Sequence, residues 1–156
     1  MDIIRFEIAQ ISDEADELLI FINGRNLVDL LKEIEAVHAE REGSPSIAGG
    51  YAGLAPIDVL LPSQHFLGKP AEEVYRYTDK VSVLECECGF PGCWPFLVKI
   101  TIDSDIVTWS DFEQPHRGAE QGTGQWTYET LRPFVFERIQ YMAELDAISK
   151  AFRGKT

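Results

Sequence analysis

Three short runs of alternating hydrophobicity follow one another in the second half of the chain, and they constrain what it can fold into more than any other feature. Residues 81–88 (VSVLECEC), 96–102 (FLVKITI) and 106–112 (IVTWSDF) each carry the two-residue period of a half-buried strand. Between the first two lie Gly89, Pro91, Gly92 and Pro95; between the last two lie only Asp103, Ser104 and Asp105. Connections this short cannot make the crossover that parallel strands need, so the three strands are expected to run antiparallel. In the middle one Phe96, Val98, Ile100 and Ile102 share one face.

The first half adds two strands and a helix. Residues 3–11 (IIRFEIAQI) put Ile4, Phe6 and Ile8 on one face against Arg5 and Glu7 on the other. The acidic SDEADE stretch makes the turn, and LLIFI (18–22) is apolar on both faces, as suits a strand inside a sheet. Asn23-Gly24 ends it. The spacing of Leu27, Leu30, Leu31, Ile34 and Val37 predicts a helix over 27–41, with Asn26 as cap and Asp29 favouring the dipole in its first turn. His38, four after Ile34, falls on that stripe and reads as a packed residue.

A second long helix is predicted over 131–152, capped by Thr130, with Pro133 in its first turn and a stripe of Leu131, Val135, Ile139, Met142, Leu145 and Ile148. Residues 70–77 (PAEEVYRY) read as a short helix with Pro at its start. Residues 43–57 and 117–126 read as long connections, and DVLLPSQHF (58–66), which holds His65, has no clear period. No internal repeat or linker divides the chain. The expectation is a single α+β domain over 1–156: an antiparallel sheet of about five strands with two main helices packed on it.

Charge narrows the partners. The formal net charge is −12, and residues 1–42 hold eleven acids against four bases. Such a surface repels phosphate backbones, which disfavours nucleic acid as a partner; it suits solubility, or a basic protein partner approached by electrostatic steering. The longest apolar run, 18–22, is far below the roughly 20 residues of a membrane span. The N-terminus lacks a basic region followed by an apolar core, so a cytoplasmic location is expected.

All three cysteines stand within eight positions, in ECECGFPGCWPF (85–96). Cys86, Cys88 and Cys93 are candidate ligands of a structural zinc, with His116 as the fourth. Cys86 and Cys88 share a strand face with Cα atoms roughly 6.6 Å apart, but CxC with a four-residue gap to the third thiol departs from the common CxxC spacing. Register adds a difficulty. A four-residue GFPG loop puts all three thiols on one side but mismatches the apolar faces. A five-residue loop pairs Leu84 with Phe96 and Ser82 with Val98, so the apolar faces agree and Cys93 turns away. Regular pairing therefore argues against a preformed three-thiol site, and only an irregular tip restores it. The competing readings are that Cys86 and Cys88 are small buried residues while Cys93 anchors a turn, or that one thiol is reactive, against which Glu85 and Glu87 push its pKa upward.

The second unusual stretch is VTWSDFEQPHR (107–117). Aromatic residues beside polar ones at a strand end are a frequent binding-site composition, which makes Trp109, Gln114, His116 and Arg117 candidate binding residues. Tyr51, in the GGYAG segment of the 43–57 connection, joins them; that segment lacks the pattern of a phosphate cradle. A plainer reading packs Trp109 in the core and leaves His116 and Arg117 covering a sheet edge. No residue spacing identifies a catalytic triad, and no catalytic residue is assigned.

The stretches ECECGFPGCWPFLVKI and VTWSDFEQPHR together resemble a group of small bacterial proteins that share them, with INGRNLVDLL in the first half adding to the likeness. That group has no established activity, so the resemblance implies a bacterial cytoplasmic protein and carries over no catalytic residue. By analogy of size, acidity and α+β build, it allows an immunity-type inhibitor of a basic partner. The function expected is therefore a non-enzymatic interaction protein with an acidic surface; the alternative is a structural-zinc module, or a zinc- or thiol-dependent enzyme, built on Cys86, Cys88 and Cys93 with His116.

Overall fold

A computed structural model describes residues 1–118 and 124–154. In chain order the strands are β1 (Ile4–Ser12), β2 (Ala15–Ile22), β3 (Arg25–Asn26), β4 (Tyr51–Gly53), β5 (Arg76–Tyr77), β6 (Lys80–Cys86), β7 (Phe96–Ile102), β8 (Ile106–Glu113) and β9 (Phe134–Glu137). The helices are α1 (Leu27–Arg41), the single turn α2 (Pro56–Val59) and α3 (Arg138–Gly154), with 3-10 turns between. The architecture is α+β. The meander β6-β7-β8 lies at the centre of an antiparallel sheet ordered β4-β6-β7-β8-β9, with β5 beside β6, and α1 and α3 are the main helices.

The sheet is curled, and the β1–β2 hairpin lies between its two edges. On one side Asp2 bridges Phe136 of β9, its N–H donating to Val135 O at 2.8 Å while its carboxylate accepts from Val135 N at 2.8 Å. On the other, Leu18 N donates to Leu54 O just beyond β4 at 2.9 Å, and Glu17 accepts from Gly53 N. Both edges therefore give part of their backbone hydrogen-bonding groups to partners instead of exposing them. Helix α3 packs along β1, where the Gln140 side chain accepts from Ile4 N and donates to Ile4 O as a neighbouring strand would. Inside, Trp109 is fully buried against Phe66, Phe136 and Tyr141; its indole N–H donates to the Tyr141 hydroxyl, which in turn donates to Phe66 O at 2.6 Å. His65 is equally buried, with Nε2 2.7 Å from Ser82 O, and burial lowers its pKa to about 4.

Local pattern fails in three places. The helix predicted over 131–152 begins only at Arg138: FVFE (134–137) pairs with β8 instead, because an open sheet edge satisfies more backbone there than one more helical turn. Thr130 and Pro133 therefore cap nothing in α3. Within α3 the expected Leu145 is buried and Met142 and Ile148 pack partly buried against the core, but Tyr141 and Ser149 share the inward face and Ile139 is left 84% exposed. The helix predicted at 70–77 is a 3-10 turn (Glu73–Tyr75) running into β5. The 43–57 connection holds β4, which pairs with β6. Of the 117–126 connection, residues 119–123 lie outside the described residues. No helix among the described residues is long and apolar enough to cross a membrane.

The approach of β4 to β2 is close enough to be tested. A Cβ on Gly53 would sit 2.1 Å from Leu18 O, a backbone atom that cannot move aside without opening the seam. Gly53→Ala is expected to destabilise the fold by more than about 2 kcal/mol in urea unfolding, while Gly92→Ala, whose Cβ meets nothing within 4 Å, should stay within about 0.5 kcal/mol. Equal effects would mean the seam is not as drawn.

Candidate metal centre

Strand β6 stops at Cys86, and the chain then makes two successive turns before β7. Gly89, at φ 95°, supplies the left-handed backbone the first turn needs, and Gly89 N donates to Cys86 O at 2.9 Å. Cys93 N closes the second turn on Phe90 O at 3.1 Å. Leu84 faces Phe96, in agreement with the apolar-face register, but the pairing slips between Ser82 and Leu84, so Ser82 faces Leu97 and not Val98. The tip is thus irregular, and the three sulfurs gather in spite of the register. The Sγ atoms of Cys86, Cys88 and Cys93 all lie within 4.8 Å of one another, close enough to hold a metal ion. All three cysteines are free.

The thiols are unequal. Cys86 is buried and opposite Tyr51 of β4, whereas Cys88 and Cys93 are exposed. Burial pushes the Cys86 thiol up to about 12. The Cys88 thiol is lowered, chiefly because its thiolate accepts a hydrogen bond from Cys86. Cys88 N also donates to Cys86 Sγ at 3.4 Å, the kind of backbone contact that steadies a thiolate. Within this pair the environment favours the thiolate of Cys88 and disfavours that of Cys86.

His116 does not join the group. Its ring lies flat on Trp94, centroids 6.0 Å apart, and Nε2 is 3.0 Å from Gly92 O, so it braces the tip from the side. Arg117 stands over Trp94 and Trp126, and its Nε donates to both carboxylate oxygens of Glu42, at 3.0 and 3.1 Å. Glu42 also accepts from the Trp126 indole, and His38 stacks on the same ring. Trp94 keeps its own indole N–H buried with no acceptor among the described residues.

Beneath this layer sits a buried polar network. Glu35, on α1, accepts from the hydroxyls of Tyr51 (2.5 Å) and Tyr128 (2.7 Å) and from Gly49 N (2.9 Å). Gln114 Nε2 donates to the Tyr51 hydroxyl and to Pro95 O, and Gln114 Oε1 accepts from His116 N. Burial raises the Glu35 pKa, opposed by those three donors, and both tyrosines are held well above their ordinary range by burial first and by their neighbours second.

Of the candidate binding residues, Tyr51, Gln114, His116 and Arg117 come together around the base of the tip, while Trp109 belongs to the core. Glu35, Glu42, Trp94 and Tyr128 were not singled out in the sequence. Glu35 left one trace: it sits four after Leu31 and eight after Leu27, on the buried face of α1, which runs Leu27, Leu31, Glu35, His38 and Ala39 and leaves Val37 exposed.

A raised carboxyl pKa gives a definite sign. Stability from Glu35 is full below its unfolded pKa and is lost as pH rises through the folded value. The penalty of Glu35→Gln, measured by urea unfolding from pH 4 to pH 8, is therefore expected to shrink as pH rises. A penalty that grows with pH would show that the ionised form is the preferred one. Comparison with protein-family models, with curated proteins and with solved structures finds no match, so the chemistry of the site alone carries the functional reading.

Proposed function

We propose that the chain is a metal-binding protein whose hairpin tip holds one zinc ion between Cys86, Cys88 and Cys93. The observation that carries this reading is the gathering of three thiols within 4.8 Å of one another on a turn that regular pairing would have scattered. Around a tetrahedral zinc with Zn–S bonds near 2.3 Å, sulfurs stand about 3.8 Å apart. Small side-chain rotations suffice to reach that. A thiolate set favours a soft or borderline ion over calcium or magnesium, and a divalent charge would ionise Cys86 at neutral pH despite its burial. A reducing cytoplasm would keep the three thiols unpaired and available.

Protein purified without chelator is expected to carry about one zinc per chain, bound through deprotonated thiols. Cys86→Ser should lower zinc affinity by more than about 100-fold, since loss of a ligand exceeds the 10–100-fold effect of losing an outer-shell partner. If Cys86→Ser leaves metal content and folding unchanged, the reading fails.

A second reading, an interaction protein for a basic partner, draws on the β1–β2 turn, where Asp13 and Glu14 are exposed beside an exposed Ile11. It is compatible with a metal site that only stiffens the opposite tip. A basic protein retained on the immobilised chain at low salt and lost on Asp13→Lys with Glu14→Lys is the expected result. Retention unaffected by the charge reversal counts against this surface.

A further inference from the structure

We infer that a metal held at the cysteine tip keeps a fourth position that no side chain among the described residues fills, and that this position takes a neutral nitrogen donor of the imidazole class. The inference rests on the metal-binding reading and goes beyond it, because it makes the site open and ligand-exchanging instead of closed and structural. Three protein ligands with a fourth position left open is the arrangement of zinc sites that exchange ligands, whereas structural sites are filled by four.

The first argument is the ligand count. Among the described residues, no histidine or carboxylate joins the three sulfurs within 4.8 Å. His116 is committed elsewhere: its Nε2 is engaged with Gly92 O, its ring is stacked on Trp94 at an interplanar angle of 16°, and its backbone N–H is held by Gln114. Turning it onto the metal would break the first two of these together.

The second argument is space. A cavity of about 320 Å³ opens beside the cluster and is lined by Ser46, Ile47, Gly50, Glu87, Trp94 and Arg117 together with Cys86 and Cys93. Two of the three cysteines therefore line it, which places the cavity beside the candidate metal position. Its walls are mostly apolar, Ile47 and Trp94 among them.

The third argument is charge. Three thiolates around a divalent ion leave a net charge of about −1, and Glu87 on the cavity wall adds another negative group. Among the described residues Arg117 is the one cation lining it, and that charge is already paired with Glu42. A fourth thiolate or a carboxylate would enter against this field; a neutral imidazole would not, and it is a good donor to zinc and to cobalt.

The test uses the full chain loaded with Co(II), whose absorption separates the two questions. Near-ultraviolet charge-transfer intensity follows the number of bound thiolates, and the visible bands follow the whole ligand set. Titration with free imidazole is expected to shift the visible bands saturably while charge-transfer intensity stays constant. Ser46→Trp, which puts bulk at the exposed rim of the cavity, should weaken imidazole binding by about tenfold or more, the loss of roughly 1.4 kcal/mol or more of affinity. Visible bands that ignore imidazole, or charge-transfer intensity that falls as imidazole strips a thiolate, would each overturn the inference and leave the metal reading standing. Absence of any thiolate charge-transfer band would overturn both.

Discussion

The carboxyl of Glu35 is the point on which the site end of the molecule depends. A carboxyl buried without partners costs several kcal/mol, and here each donor that answers it comes from a different part of the chain. Tyr51 brings β4, Gly49 brings the connection before it, and Tyr128 brings the segment leading to β9. Gln114 extends the network from the Tyr51 hydroxyl to Pro95 O at the start of β7 and to His116 N. One side chain on α1 thereby fixes the positions of the strand opposite Cys86, the residue before β7, and the turn that carries His116 and Arg117.

The cysteine tip is built on that base. Its backbone is held by turn bonds from Gly89 N and Cys93 N, by Glu87 N donating to Gly50 O, and by His116 reaching Gly92 O. Above the Glu35 network, His116 stacks on Trp94 and His38 on Trp126, the two indoles meet edge to face, and the guanidinium of Arg117 lies over both, with Glu42 closing the layer from the end of α1. A rigid support of this kind is what a metal or ligand site needs, because ligand geometry is only as well defined as the side chains that hold it. The chemistry then divides by depth: a buried Glu35 whose pKa burial raises below, and three thiols close enough together to hold a metal ion above.

Much of the fold was legible because it follows from local periodicity. Alternation in 96–102 and 106–112 set β7 and β8; the spacing of Leu27, Leu30 and Leu31 with Asn26 ahead of them set α1, whose cap accepts from Val28 N at 2.9 Å. The misreadings lie where an apolar segment fits two periods. Residues 134–137 satisfy a helical stripe and a strand face equally well, and only the waiting edge of β8 decided between them. Tyr51 lay in a stretch with no period at all, and three residues of it became β4 because the outer edge of β6 was open to pairing.

The sequence by itself determined the antiparallel meander, the α+β composition, the first helix with its cap, the strong negative charge, and the crowding of three cysteines beside turn formers. Only the tertiary structure decided whether those thiols meet, because that depends on a slip in the pairing between Ser82 and Leu84 and on turns that no two-residue period encodes. It also decided what surrounds them: Glu35, Tyr51, Gln114 and Tyr128 stand far apart along the chain and converge through closure of the curled sheet. Periodicity reports which side of its own element a residue occupies. Which residues from other elements it meets there is settled by packing, and packing is a property of the whole chain.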